Sequence, residues 1–291
     1  MLSPNDREVL RRLGGEVAEI AALPVQQEKM RLWKANNSLR PERPMVMIDQ
    51  IPWHEMDVDG ELRLECEDPF CRTLETELRR ELYRWKHMPA DFVVELFVDV
   101  SKVVRNSGFG VQVVEETASL DPQNDVVGHI FHDQLPSEND LDKIRTPQVE
   151  LDVEATARVE SMAREAFDGV IEVRMQGVLP WMSFWDRISE WRSPEAVLWD
   201  VLDRPEFSHE VMRRTVAAAM GMLDQLEAKN LLGSRMSWVH CTGAYTDELP
   251  ADGFDEFRPK AKDLWTFGMA QIFSSVSPEM HDEFEIQHSI P

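Results

Sequence analysis

Hydrophobic residues recur at helical spacing from the start of the chain, with Val9, Leu10, Leu13, Val17, Ile20 and Ala21 on one stripe. This predicts a helix over 5–35, capped by Asn5 or Ser3 and interrupted at Pro24, with Met30, Leu32 and Trp33 in its second part. The turn-rich NNSLRPERP follows as a linker. A second helix is predicted over 70–87, where Leu74, Leu78, Leu82 and Trp85 line one face and acids and bases alternate at i,i+4 spacing elsewhere. Others are predicted over 154–167, 194–203 and 208–230, with a helix-like run at KDLWTFGMAQIFSSV and short helices at PSENDLDKI and SPEMHDEF.

Between these helices lie four apolar runs bounded by polar loops, at 44–49, 91–98, 169–176 and 234–241. Strands that alternate with helices predict a parallel α/β sheet. Residues 109–134 follow a different pattern, apolar and polar residues alternating on both sides of SLDPQND, which predicts a β-hairpin insertion. A closed (β/α) barrel needs eight strands. With four in view, the chain is expected to be either a fragment of a longer protein or a shortened relative. The last run, next to Met236 and Trp238, is then expected to expose an edge that pairs in a homodimer or is covered by 263–286.

With 43% hydrophobic residues, the chain can build a sizeable core. Its net charge of -23 disfavours a nucleic-acid partner, since phosphate binding needs Lys and Arg. The excess acid lies beyond residue 44, because residues 1–44 hold eight Lys/Arg against six Asp/Glu. No run of about 18 apolar residues predicts a membrane span, so no membrane partner is expected. The N-terminus lacks the apolar core of a secretory signal, and three cysteines (Cys66, Cys71, Cys241) cannot form a disulfide framework. A cytoplasmic location is therefore expected.

The densest candidate chemistry is HCTGAYTDELP at 240–250, just past an apolar run, where loops of parallel α/β folds carry function. Glu95 stands out as an acid inside the apolar VVELF, a position that needs a partner or a function. Glu95, His54, Tyr245, Asp247 and Glu248 are the catalytic candidates, as general acids or bases at strand ends. Trp53, Trp181 and Trp185 are candidates to wall a substrate cavity, although in a chain with nine Trp each is more often a core residue. Cys241 and His240 are the candidate metal ligands. Adjacent strand residues point to opposite faces and zinc needs three or four protein ligands, so a buried thiol is the better reading of Cys241. No G-x-G-x-x-G, P-loop or G-x-S-x-G motif is present.

Four stretches, WKANNSLRPERPMVMIDQIPWHE, GAYTDELP, LDRPEFSHEVM and MAQIFSSVSPEMHDEF, resemble uroporphyrinogen decarboxylase-like proteins of anaerobic bacteria. The resemblance covers nearly the whole chain. It implies a TIM-type barrel, here incomplete, with an N-terminal helical extension over 1–43 and the barrel domain over 44–291. The superfamily includes porphyrin decarboxylases and methyltransferases that act with corrinoid proteins. The decarboxylases carry an Arg-rich N-terminal motif for substrate carboxylates; PMVMIDQIPW stands there instead, which disfavours porphyrin decarboxylation. The resemblance thus implies methyl transfer on a small methylated substrate, with a corrinoid carried by a partner protein and zinc as a candidate cofactor. The metal motif of those relatives lies partly in later strands and is not assigned here, which leaves a non-catalytic accessory or binding protein as the alternative.

Overall fold

The computed structural model describes residues 2–57, 59–119, 127–234 and 237–290. In chain order the elements are helices α1 (Pro4–Ala21), α2 (Pro24–Asn37), α3 (Trp53–Met56) and α4 (Pro69–His87), then strands β1 (Phe97–Ser101), β2 (Val104–Asn106), β3 (Glu115–Ala118), β4 (Gly128–Phe131) and β5 (Val149–Leu151). Helix α5 (Val153–Phe167), strand β6 (Glu172–Gln176), helices α6 (Phe184–Arg192), α7 (Pro194–Asp203) and α8 (Pro205–Ala228), and the short strands β7 (Trp238–Val239) and β8 (Thr242–Gly243) follow. The result is a mixed α/β chain whose sheets each hold two strands, none closed into a barrel among the described residues.

The chain divides into two compact units. The first comprises Met1–Val103, Leu151–Val178 and Leu232–Trp265; the second comprises Val104–Glu150, Leu179–Leu231 and Thr266–Pro291.

In the first unit, local chemistry sets the helix starts. Ser3 Oγ accepts from Asp6 N at 3.0 Å to cap α1, and Asp68 accepts from Phe70 N and Cys71 N to cap α4, each with Pro in the first turn. Pro24 opens α2, so the long helix predicted over 5–35 is two helices. Strands β1 and β6 pair in parallel, Phe97 opposite Glu172 and Ser101 opposite Gln176, with α5 packed on both. Alternation sends Val98, Val100 and Val173 into a core with Leu10, Leu13 and Val17 of α1, Leu74 and Leu78 of α4 and Phe167 of α5. The opposite face of the pair is polar, with Asp99, Arg174 and Gln176. There Gln176 Nε2 donates to Asp99 Oδ1 at 3.1 Å, and the Arg174 guanidinium lies 4.2 Å over the Phe97 ring.

In the second unit, α6, α7 and α8 pack Trp185, Ile188, Trp191, Val211 and Met212 into a core. The buried Arg192 guanidinium donates to Asp200 Oδ2 and to the Leu135 carbonyl, and also bonds Asp133. The predicted hairpin is present: β3 pairs antiparallel with β4, Glu115 opposite Phe131. Its SLDPQND turn falls largely on 120–126, outside the described residues.

Three of the four predicted strands are corrected. Residues 44–49 run extended without a ladder, because Asp91 takes their hydrogen bonds: its Oδ2 accepts from Val46 N at 2.8 Å and its N donates to Val46 O at 2.8 Å. Arg43 locks Asp91 in place with two more bonds, at 2.6 and 2.8 Å. Residues 91–96 are likewise outside the sheet, so the second strand begins only at Phe97. The 234–241 run does not form a parallel strand: β7 turns back through His240 and Cys241 to pair antiparallel with β8. Met236 lies outside the described residues. A single parallel bridge, Val178 with Leu232, marks the approach to this segment. The helix-like run after 262 is also corrected. It breaks into 3-10 turns at Ala261–Asp263 and Gln271–Ser275, with Gly268 and β-branched Thr266, both poor helix formers, between them.

Candidate functional site

The C-terminal end of α2 organises the 243–247 loop. Asn37 Nδ2 donates to the Gly243 and Tyr245 carbonyls at 2.9 and 2.8 Å, and Lys34 Nζ pairs with Asp247 Oδ1 at 2.6 Å. The buried Trp33, whose Nε1 donates to Asp91 O at 2.7 Å, packs flat on Gly243. These contacts fix Tyr245 at a cavity of about 150 Å³ whose walls include Ser234, Ser237, Thr246, Asp263 and Trp265.

Glu95 stands behind this wall. It has the same parity as Phe97 and Asp99, on the polar side of β1, and Ser237 Oγ donates to its Oε2 at 2.5 Å. Burial raises the Glu95 carboxyl above its ordinary range and the Asp99 charge raises it further, against the lowering pull of Ser237, Arg174 and Tyr245. Burial, and then the Glu95 charge, raise the Tyr245 phenol, so it stays protonated and donates.

Three more carboxyls join this one. Burial pushes Glu81 of α4 up to about 7, with Glu95 and Glu77 adding repulsion against the pull of Arg84. Burial also raises Glu77 and Asp99. Glu77 and Asp99 are nonetheless exposed to solvent and Glu81 is half-buried. A group of acids whose protons are held toward neutral pH can donate or accept at a bound reactant.

Of the residues singled out from sequence, Glu95 and Tyr245 come together at the cavity. Asp247 and Glu248 are exposed beside it: Asp247 serves the ion pair to Lys34, and Glu248 N bonds Thr246 Oγ1 at 3.1 Å. Trp53 and His54 lie on α3. Trp53 meets Tyr83 edge-on at 6.0 Å and Arg80 at 5.0 Å, and His54 contacts Glu55 at 3.4 Å. In the second unit, Trp185 is core, its Nε1 donating to Phe284 O at 2.9 Å, and the half-exposed Trp181 packs edge-on against Phe267. Ser237, Glu77, Glu81, Asp99 and Asp263 were not anticipated. Of these, Asp99 alone carried a signal, as a second acid two turns of alternation after Glu95 in an apolar run.

His240 and Cys241 form the two-residue turn between β7 and β8, with Cys241 in the left-handed region (φ 60°) and its Sγ 4.0 Å from His240 Nε2. The expectation that they point to opposite faces of a strand is therefore replaced by a turn. Burial raises the Cys241 thiol, with Asp49 hydrogen-bonded to it adding to the rise, the reverse of what a thiolate ligand needs. Among the described residues no three His, Cys, Asp or Glu side chains are grouped to hold a metal, so the donor set does not fit a zinc centre of three or four protein ligands. Also among the described residues, no helix is long and apolar enough to cross a membrane.

Comparison with protein-family models, with curated proteins and with solved structures found no match to this chain.

Proposed function

We propose that this chain is a uroporphyrinogen decarboxylase-like protein that moves a methyl group between a small substrate and a corrinoid carried by a partner protein, in the cytoplasm. In this reading β1, α5 and β6 are a β–α–β unit of a TIM-type barrel lineage, and the polar face of the strand pair corresponds to a barrel interior. The observation that carries the proposal is Glu95, an acid with a raised proton affinity just before β1, held by Ser237 and Tyr245 behind the wall of a small cavity. Two of the stretches that carry the resemblance, WKANNSLRPERP and GAYTDELP, meet there through Asn37 and Lys34.

The chemistry asked of the chain is proton management. A corrinoid bound by the partner would supply the nucleophile that accepts the methyl as a cation; the pair of the broken bond stays on the heteroatom, and Glu95, reached through the lining residues Ser237 and Tyr245, supplies the proton that pair takes up. In the reverse direction Glu95 takes the proton back. Tyr245 and Ser237 keep the carboxyl oriented, an effect that general acid–base catalysis depends on. The zinc expected from the resemblance has no fitting donor set among the described residues, so no step is assigned to it. The cavity, about 150 Å³ and without Lys or Arg among its described lining residues, favours a small substrate over a carboxylate-rich tetrapyrrole.

The test is turnover of methylcobalamin by the purified chain with a panel of small thiols, alcohols and amines, followed by the change in the cobalamin spectrum. The expected result is methyl transfer to at least one acceptor, slowed on the order of a hundredfold or more in Glu95→Gln. Equal rates for both proteins, or no turnover above the protein-free control, would overturn the proposal.

A further inference from the structure

The second unit holds two imidazoles for which the methyl-transfer reading has no use. His209 lies in the first turns of α8, and His288 on α10 (Gln287–Ser289), which follows α9 (Pro278–His281) and the π-helical turn Asp282–Ile286. His209 Nδ1 and His288 Nε2 are 3.0 Å apart, and His209 Nε2 is 3.2 Å from Glu283 Oε1. The ring centroids are 5.3 Å apart, which is the nitrogen–nitrogen distance extended by roughly one ring radius at each end, so the two nitrogens point straight at each other. A shared metal ion needs both lone pairs to converge on a point off that line, and among the described residues no three His, Cys, Asp or Glu side chains are grouped to hold one. The geometry is that of a head-on N–H···N hydrogen bond.

The partners fix the protons. An ionised Glu283 only accepts, so His209 Nε2 carries the hydrogen between them. His209 Nδ1 then accepts from His288 Nε2–H. One added proton fits, because on either ring it still leaves a single hydrogen between the facing nitrogens, with the Glu283 carboxylate beside the charge. A second does not fit. Both facing nitrogens would then carry hydrogens, with a positive ring behind each. Burial, and then the charge of His209, hold the His288 imidazole below its ordinary range. The unfolded chain protonates both rings through the ordinary value of 6.5, so what the pair contributes is present above that value and is lost as pH falls below it. The surrounding charges do not change that sign. Glu279 and Asp282 line the same depression as His209 and Glu283, and Asp282 accepts from Gln287. On α8, Glu206 and Arg213 lie one turn either side of His209, and Arg213 is bonded to Glu210. Glu285 accepts from Ser289 and feels Asp186 of α6, and His281 meets the Phe273 ring. These groups are mostly acids, which favour the first proton, while the second is opposed by the head-on contact itself.

The rest of the run is anchored independently of the pair. Phe284 is buried, its carbonyl accepts from Trp185 Nε1, and its ring stacks on His209 at 4.7 Å and 21°. Beyond it, Gln287, Ser289 and Ile290 are exposed and His288 is half-buried. Gln287 is also part of the wall of a depression of about 680 Å³ that His209 and Glu283 line. We propose that His209 and His288 are a proton-operated latch, which holds α10 on α8 and, on taking up a second proton, frees residues 287–290 and opens the wall of that depression.

Hydrogen exchange of the full chain, corrected for intrinsic amide rates, tests it together with the nitrogen-15 shifts of the two rings. The pair is expected to titrate in two steps. The Ile290 amide, which donates to Ile286 O at 3.0 Å, is expected to lose protection by about tenfold or more over the second step, while the amides of α8 keep theirs. His288→Gln cannot take up a proton, so its protection, whatever its level, is expected not to change with pH. His209→Phe keeps a ring on Phe284 but bonds neither Glu283 nor His288, and is expected to leave residues 287–290 unprotected at every pH. Ile290 protection in the parent that is absent at neutral pH, flat with pH, or lost before the second step overturns the inference. So does a loss with pH that is the same in His288→Gln, or a His209→Phe protein as protected as the parent. The measurements on the unmodified chain stand without either variant.

Discussion

Gly243 lies flat against the Trp33 indole: a β-carbon on Gly243 would sit 2.7 Å from ring atoms Cδ2 and Cε2. The ring has no room to yield, because it is buried and its Nε1 is bonded to Asp91 O. Gly243→Ala is therefore expected to destabilise the chain by about 1–3 kcal/mol through overpacking and to displace Tyr245 from the cavity. Adding Trp33→Leu should restore part of the loss. Urea unfolding of the two single variants and the double variant measures the coupling; strict additivity would contradict this contact.

Glu95→Gln should separate function from stability. Gln keeps an acceptor for Ser237 Oγ–H while it removes the titrating proton. Thermal melting is expected to change little, whereas any proton-dependent step at the cavity falls by about two orders of magnitude or more. Equal loss of activity and stability would mean that Glu95 is a packing element of the β1 entrance.

Glu81 makes the chain's stability sensitive to pH near neutrality. Its folded-state value of about 7 lies above the ordinary 4.5, so between those values the folded chain binds a proton that the unfolded chain has released. Stability from this group therefore falls as pH rises from 4.5 through 7. Glu81→Gln should stabilise the chain by up to about 3 kcal/mol at pH 8 and do nothing at pH 4, as denaturant midpoints at the two pH values will show.

Glu75 behaves in the opposite sense. Burial raises its carboxyl, but bonds from the Cys66 and Glu65 amides and from Arg79 outweigh burial and hold it below 4.5. Its contribution is full above the unfolded value and is lost as pH falls through the lower folded one. Glu75→Ala leaves the buried Cys66 amide and the part-buried Glu65 amide without their acceptor and takes one of three acceptors from Arg79, and should cost on the order of 3 kcal/mol at pH 7. Acid titration of the melting temperature should show the gap between parent and variant closing below about pH 4.

The helices were legible because caps and apolar stripes are local signals: Ser3 before Pro4, Asp68 before Pro69, Leu74 and Leu78 on one face. Glu95 was legible because an acid in an apolar run is costly without a reason. The strand at 44–49 was misread because its partner is a side chain 45 residues away, Asp91, which no periodicity reports. Glu77 and Glu81 were hidden in a helix whose charged face looks solvated. Only the fold shows that this face comes within reach of Glu95 and Asp99. Asp263 was hidden by an apolar run that resembles a helix but is interrupted by Thr266 and Gly268.

Asn37 and Tyr245 are 208 residues apart, and the cavity exists only when they meet. Closing so large a loop costs entropy before any contact repays it, so the wall that holds Tyr245 must form late in folding, after α1 and α4 have docked. During synthesis, α2 would wait with the indole of Trp33 uncovered until Gly243 has left the ribosome. Tied by side-chain bonds from Asn37 and Lys34 rather than by a ladder like that of β1 and β6, this loop is expected to open more readily than that strand pair in the native state. Its amide protons should therefore exchange ahead of those in β1 and β6, and small molecules would enter and leave by that opening.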